Sequence, residues 1–194
     1  MSSHRFHYDA VLPPGVEVEQ VRAALKARRT RKIADIPRAE TQLAEEVWEY
    51  RNGDRMRIVD DHFVDVKSLR AESKTPGKPA DLIYALRDKL GLQEVDDLVA
   101  LARSERASDR DHARRGLASI IDMYRSDVTD AIAEGLKEAD PAHRDAALRA
   151  IARWPHFVFV RELESMAETE QDPALRAEAK QLAKDVRKHG RRGT

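Results

Sequence analysis

The side chains whose types suit chemistry are few and scattered. His4 and His7, with Asp60, Asp61 and His62, are the residue types of a hard or borderline metal site. Their spacing argues against one. No two histidines stand four apart on a helical pattern, and Asp60-Asp61-His62 falls where a turn between strands takes polar residues. The chain has no cysteine, which excludes disulfides, thiolate metal sites and cysteine nucleophiles. It has no Gly-rich phosphate loop and no serine in a Gly-x-Ser-x-Gly turn. The expectation is a protein that is not an enzyme, with no cofactor and no metal.

Binding residues are easier to find. The run Lys26-Ala27-Arg28-Arg29-Thr30-Arg31-Lys32 has the charge to contact phosphates, but no aromatic residue interleaves with it, and such a run also suits the carboxyl end of a helix dipole. Trp154, Phe157 and Phe159 could form a stacking platform, yet packing between helices accounts for them better. Trp48 and Tyr50 share one strand face at period two, and the core is the expected place for them.

These residues need a frame. Residues 16–29 show the apolar spacing of one amphipathic helix, entered through Pro13-Pro14-Gly15. A short helix is expected over residues 40–46, leading into a strand that ends near Arg51. Asn52-Gly53 then signals a type I′ hairpin turn, with a returning strand at 55–59 and a third at 63–69. The Pro/Gly-dense stretch 72–79 is the expected boundary. Seven helices follow, at 80–90, 93–105, 109–124, 128–138, 142–154, 158–170 and 173–188. The division is an α+β portion at 1–72, a linker at 73–79, helical repeats at 80–189 and a basic tail at 190–194.

The helical half is repetitive. Asp140-Pro141-Ala142-His143-Arg144 returns 32 residues later as Asp172-Pro173-Ala174-Leu175-Arg176, and a weaker copy starts at Asp109, 31 residues before the first. Aspartate caps the free amides of a first helical turn, and proline fits the first helical position because its missing amide would be unpaired there. The pattern Asp140-Pro141-x-x-Arg144-x-x-Ala147-Leu148-x-x-Ile151 resembles the first helix of a bacterial HEAT-like repeat of the phycobilisome-lyase type. Asp172-Pro173-x-x-Arg176-x-x-Ala179-x-x-Leu182 is similar. The third copy departs from it, with Arg110 in place of proline and Ala113 in place of arginine. The resemblance covers residues 79–189 and implies a stacked superhelix whose second helices line a concave side. It implies no single activity. The fold expected on these grounds is mainly α, a short HEAT-like α-solenoid with a small N-terminal α+β portion containing a β-hairpin or three-stranded meander.

Charge is sorted along this frame. Lysine plus arginine and aspartate plus glutamate each number 35, so the net charge is zero and no overall field draws the chain to nucleic acid or anionic lipid. In the second-type helices, Glu94, Asp96, Asp97 and Glu105 oppose Arg103; Asp127, Asp130, Glu134, Glu138 and Asp140 oppose Lys137; and Glu162, Glu164, Glu168 and Glu170 oppose Arg161. The first-type helices are basic: Arg144, Arg149 and Arg153 oppose Asp145, while Arg176, Lys180, Lys184, Arg187 and Lys188 oppose Glu178 and Asp185. Two accounts fit. Neighbouring helices of opposite sign pair along the stack, or the acids line a groove that takes a basic guest.

The second account makes Asp96, Asp97, Asp127, Asp130, Glu134, Glu162, Glu164 and Glu168 the candidate contacts of a basic protein partner. The expected function is a non-catalytic protein-protein interaction module, of inhibitor or immunity type. The alternatives are a nucleic-acid-associated protein using the basic segments, which the acidic helices disfavour, and an enzyme accessory subunit. Nothing at the start resembles a signal peptide and no long apolar run follows, so a cytoplasmic protein without membrane contact is expected.

Overall fold

Alternation of apolar and polar residues, rather than helical spacing, governs most of the first half of the chain. The computed structural model describes residues 5–37 and 43–191; His4 and residues 192–194 of the expected tail lie outside them. Among the described residues there are eight α-helices and one five-stranded antiparallel sheet, divided between two compact units, 1–94 and 95–194. The fold is α+β, which corrects the mainly α expectation: the sheet is no small hairpin or three-stranded meander.

In the first unit the elements run β1 (Phe6–Val11), α1 (Val18–Ala27), β2 (Arg31–Ile36), β3 (Leu43–Glu49), β4 (Arg55–Asp61), β5 (Val66–Ser73) and α2 (Lys78–Leu90). The sheet order is β1-β5-β4-β3-β2. One sheet face gives Ala10, Trp48, Met56, Ile58, Leu69 and Ala71 to a core that α1 completes with Val21, Ala24 and Leu25, and α2 with Leu82, Ile83, Leu86 and Leu90. The opposite face carries charge pairs across the strands, in which Arg57 reaches Glu45 at 2.7 Å and Glu72 at 2.6 Å, and Arg70 reaches Asp9 at 2.7 Å. Long arginine stems cover the sheet there while carboxylates hold their heads.

Three local expectations change. The helix expected over 40–46 begins outside the described residues, and its described part belongs to β3, paired with β4 from Leu43↔Asp61 to Glu49↔Arg55. The glutamates of β3 each find an arginine. Glu45 meets Arg57, Glu46 meets Arg22 and Glu49 meets Arg55, so tertiary pairing overrides propensity. The hairpin after β3 is real, but its loop spans 50–54 and only Gly53 has a positive φ, of 84°. Gly53 N–H donates to the Tyr50 carbonyl at 2.9 Å, and Tyr50 N–H to that of Asp54 at 2.9 Å, so a four-residue turn closed by a left-handed glycine replaces type I′. The stretch 73–79 holds the end of β5, a turn at 74–77 and the start of α2 rather than a linker between units. α2 packs back on β5 and β1, and the division of the chain falls after Glu94.

The basic run 26–32 divides at a helix end. Thr30 N–H donates to the Leu25 carbonyl at 3.5 Å and Arg29 N–H to that of Lys26 at 2.9 Å, the paired bonds of a Schellman motif. Arg29 holds its left-handed position, with φ 58°. A side chain there costs about 1 kcal/mol relative to glycine. Beyond it β2 forms a sheet edge, with a register shift between Lys32 and Ala34 that disturbs its pairing.

The second unit comprises α3 (Val95–Leu101), α4 (Ala107–Ile120), α5 (Ser126–Glu134) continued by a 3-10 turn (Gly135–Lys137), α6 (Pro141–Arg153), a 3-10 turn (Phe157–Phe159), α7 (Val160–Thr169) and α8 (Pro173–His189). α4, α6 and α8 pack side by side in order, α3 packs on α4 and α5, and α7 packs on α8. The Asp-Pro caps form as their chemistry requires. Asp140 accepts from Ala142 N–H at 2.8 Å, and Asp172 from Ala174 N–H at 2.8 Å and Leu175 N–H at 3.2 Å. The weaker copy has a different register: α4 is entered through Arg106, and Asp109 lies inside its first turn. Gly135 is forced by packing, since a Cβ there would meet the Ala147 Cβ at 2.6 Å and the Arg114 Cδ at 2.9 Å. Trp154 and Phe159 are core residues meeting edge to face at 5.9 Å, and only Phe157 of the three aromatics is exposed.

Candidate functional site

The register of the repeats is clearest in their arginines. Arg110 donates to the carbonyls of Ser104 and Glu105 at 3.0 and 2.9 Å, and Arg144 to those of Glu138 and Ala139 at 2.8 Å each. Arg176 donates to the Glu170 carbonyl at 3.3 Å. The equivalent positions are therefore Arg110, Arg144 and Arg176. Each of the first two also clamps a glutamate at the end of the following helix pair: Arg110 holds Glu138 at 2.7 Å through two nitrogens, and Arg144 holds Glu170 at 2.6 and 2.8 Å. Arg114, only 2 % exposed, adds a third bond to Glu138 at 2.9 Å. The guanidinium of Arg110 first, then that of Arg114, lowers the Glu138 carboxyl to about 2, and Arg144 does the same for Glu170. These clamps were not anticipated. Their signal is present as Glu138-x-Asp140-Pro141 and Glu170-x-Asp172-Pro173, with the glutamate two residues ahead of each cap.

The eight candidate acids do not form one row. Asp96 and Asp127 share Arg125, at 2.7 and 2.6 Å, and the Asp127 carboxyl is lowered by that contact. Asp97 also has a partner. Glu134 accepts from Lys137 at 2.7 Å, and Asp130 and Glu162 add to the field that raises the Lys137 ammonium. Glu164 pairs with Arg187 of α8, and Glu168 lines the same α7–α8 cavity. The acids thus fall into three groups.

The middle group borders a cleft of about 770 Å³ between the α5 end and α7, with Leu136 and Met166 as apolar wall and Lys137, Arg161, Glu162 and the Arg144–Glu170 pair as its charged lining. Glu162 lines the cleft, and its Oε2 is buried and accepts no hydrogen bond. A carboxylate oxygen without a donor is costly when shielded from water, and a donor entering the cleft would relieve it.

The histidine and aspartate residues of the N-terminal half are held apart. His7 lies opposite Glu72 on β5 while Asp61 lies opposite Val66, so the sheet register separates the two ends by about 20 Å at roughly 3.3 Å per residue. Asp61 is buried and caps its turn by accepting from the Phe63 and Val64 amides at 3.1 and 3.4 Å. Among the described residues no group of three metal-ligating side chains comes together. No described helix is long and apolar enough to cross a membrane. Comparison with known proteins found no family model, curated relative or solved structure that matches the chain.

Proposed function

We propose that the second unit is a non-catalytic protein-binding module whose α5–α7 cleft takes a basic side chain of a partner protein. The observation that carries this reading is the unpartnered carboxylate oxygen of Glu162, a residue that lines this cleft. Asp130 and Glu134 stand beside it and extend the acidic side, while Leu136 and Met166 offer apolar contact to the aliphatic stem of a lysine or arginine. Asp96, Asp97, Asp127, Glu164 and Glu168 stand outside this contact. The resemblance of the Asp-Pro helices to HEAT-like repeats belongs to the same proposal, as does an inhibitor or immunity-type role toward a cationic partner.

The test is calorimetric titration of the full chain with an arginine-rich peptide. A hydrogen bond to a charged group is worth about 1.5–3 kcal/mol, so Glu162→Gln weakens binding by roughly 10- to 100-fold. Glu164→Gln with Glu168→Gln, on the α8 side of α7, leaves binding unchanged. Equal losses in both variants would reduce the cleft to general charge attraction and sink the proposal.

A further inference from the structure

The first unit gathers cations that the acids among its described residues do not neutralise. The Schellman turn at the end of α1 delivers Arg29 next to the start of β2, and pairing of Arg31 with Glu49 sets the β3–β4 hairpin loop, with Tyr50 and Arg51, alongside. Arg29, Arg31 and Arg51 surround a cavity of about 320 Å³ that also contains Glu49, Tyr50 and Gly53. Arg31 continues into a second cavity of about 510 Å³ lined by Arg22, Lys26, Lys32 and Trp48.

Among the described residues the acids account for part of this charge. Arg22 is taken by Glu46, Lys32 by Asp35, and Arg31 by Glu49 at 3.4 Å, an acid it shares with Arg55. Lys26, Arg29 and Arg51 are exposed and make no ion pair. Tyr50 lines the first cavity, its hydroxyl is buried with no hydrogen-bond partner, and burial keeps it protonated as a donor. Compensation of the α1 dipole explains Lys26. It explains neither Arg51, which belongs to the hairpin, nor an arginine in a backbone conformation that favours glycine.

We propose that this strip binds the phosphodiester backbone of double-stranded nucleic acid, with Lys26, Arg29, Arg31 and Arg51 as phosphate contacts and the Tyr50 hydroxyl as a neutral donor. Two cavities that share Arg31 in their linings suit a chain of phosphates better than one anion. Trp48 is buried, so the aromatic of the second cavity does not offer the stacking surface that a single strand uses. Recognition is consequently of backbone rather than base sequence.

Fluorescence anisotropy of the full chain with a labelled duplex of about 20 base pairs, between about 50 and 200 mM salt, tests this. Three to four phosphate contacts give a slope of log K against log salt of about −3. In Lys26→Gln/Arg29→Gly/Arg51→Gln the slope shrinks in magnitude to about −1, and affinity at the lower salt drops at least about tenfold. Because glycine suits the backbone at position 29 and the other two changes are on exposed side chains, this variant keeps its fold. Tyr50→Phe lowers affinity a few-fold and leaves the slope alone. An unchanged slope and affinity in the triple variant would overturn the proposal, and so would an absence of duplex binding. Displacement of the duplex by micromolar AMP would assign the cavity to a mononucleotide phosphate and overturn the backbone reading.

Discussion

Replacing Glu138 by glutamine removes one charge from a site where two arginines converge. Arg110 and Arg114 make three bonds of 2.7–2.9 Å to this carboxylate, whose side chain is 15 % exposed. A carboxyl held at about 2 instead of 4.5 contributes roughly 3 kcal/mol at neutral pH. Breaking a buried pair from one side costs about 3–5 kcal/mol, and glutamine retains one acceptor, so we expect Glu138→Gln to lose about 2–3 kcal/mol. For a unit of this size that lowers Tm by roughly 10–20 °C. Because the folded carboxyl lies below its unfolded value, its contribution is fully present above 4.5 and is lost as pH falls through about 2. Urea unfolding followed by helical circular dichroism, at pH 7 and near pH 2.5, reads both the size and the pH dependence. The gap between wild type and variant should be largest at pH 7 and mostly closed at the acid end. A gap of the same size at both pH values would refute the electrostatic reasoning and leave a packing defect as the cause.

Two further outcomes follow from local geometry. Gly135→Ala forces a methyl against Ala147 and Arg114 and should destabilise by about 1–3 kcal/mol in the same urea assay; a neutral result would show that the 3-10 turn is free to move. Asp172→Ala removes an acceptor that holds two first-turn amides and should cost about 1 kcal/mol, whereas Arg106→Ala at the equivalent position of α4 should cost less, because its side chain makes no capping bond. Equal losses would contradict the capping assignment.

The helical half was readable where chemistry is local. Asp140-Pro141 and Asp172-Pro173 start helices because an aspartate acceptor and an amide-less proline satisfy a first turn from within five residues. All seven helices expected after residue 79 have a counterpart, with ends shifted by a few residues. The weaker copy was misplaced because its cap lacks that chemistry; the equivalence of Arg110 with Arg144 appears only through the carbonyls each one reaches.

In the first half the chain alone determined α1, the Asn52-Gly53 reversal and β4, each a short-range pattern. Tertiary structure decided the rest. β2 read as a helix end and the first part of β3 as a helix, ahead of the expected strand from Val47, because Arg31, Lys32, Glu45 and Glu46 are polar by themselves; they became strands through partners far along the chain. The same distance effect governs the sites. Sequence supplied acids by the helix and cations by the run, but which of them remain unpaired depends on neutralisation by residues such as Arg125, Arg187 and Glu46. Glu162 and Tyr50 gained interest only when burial removed their water. Charge is a property of composition; an unmet hydrogen bond is a property of packing, and packing is set by the whole chain.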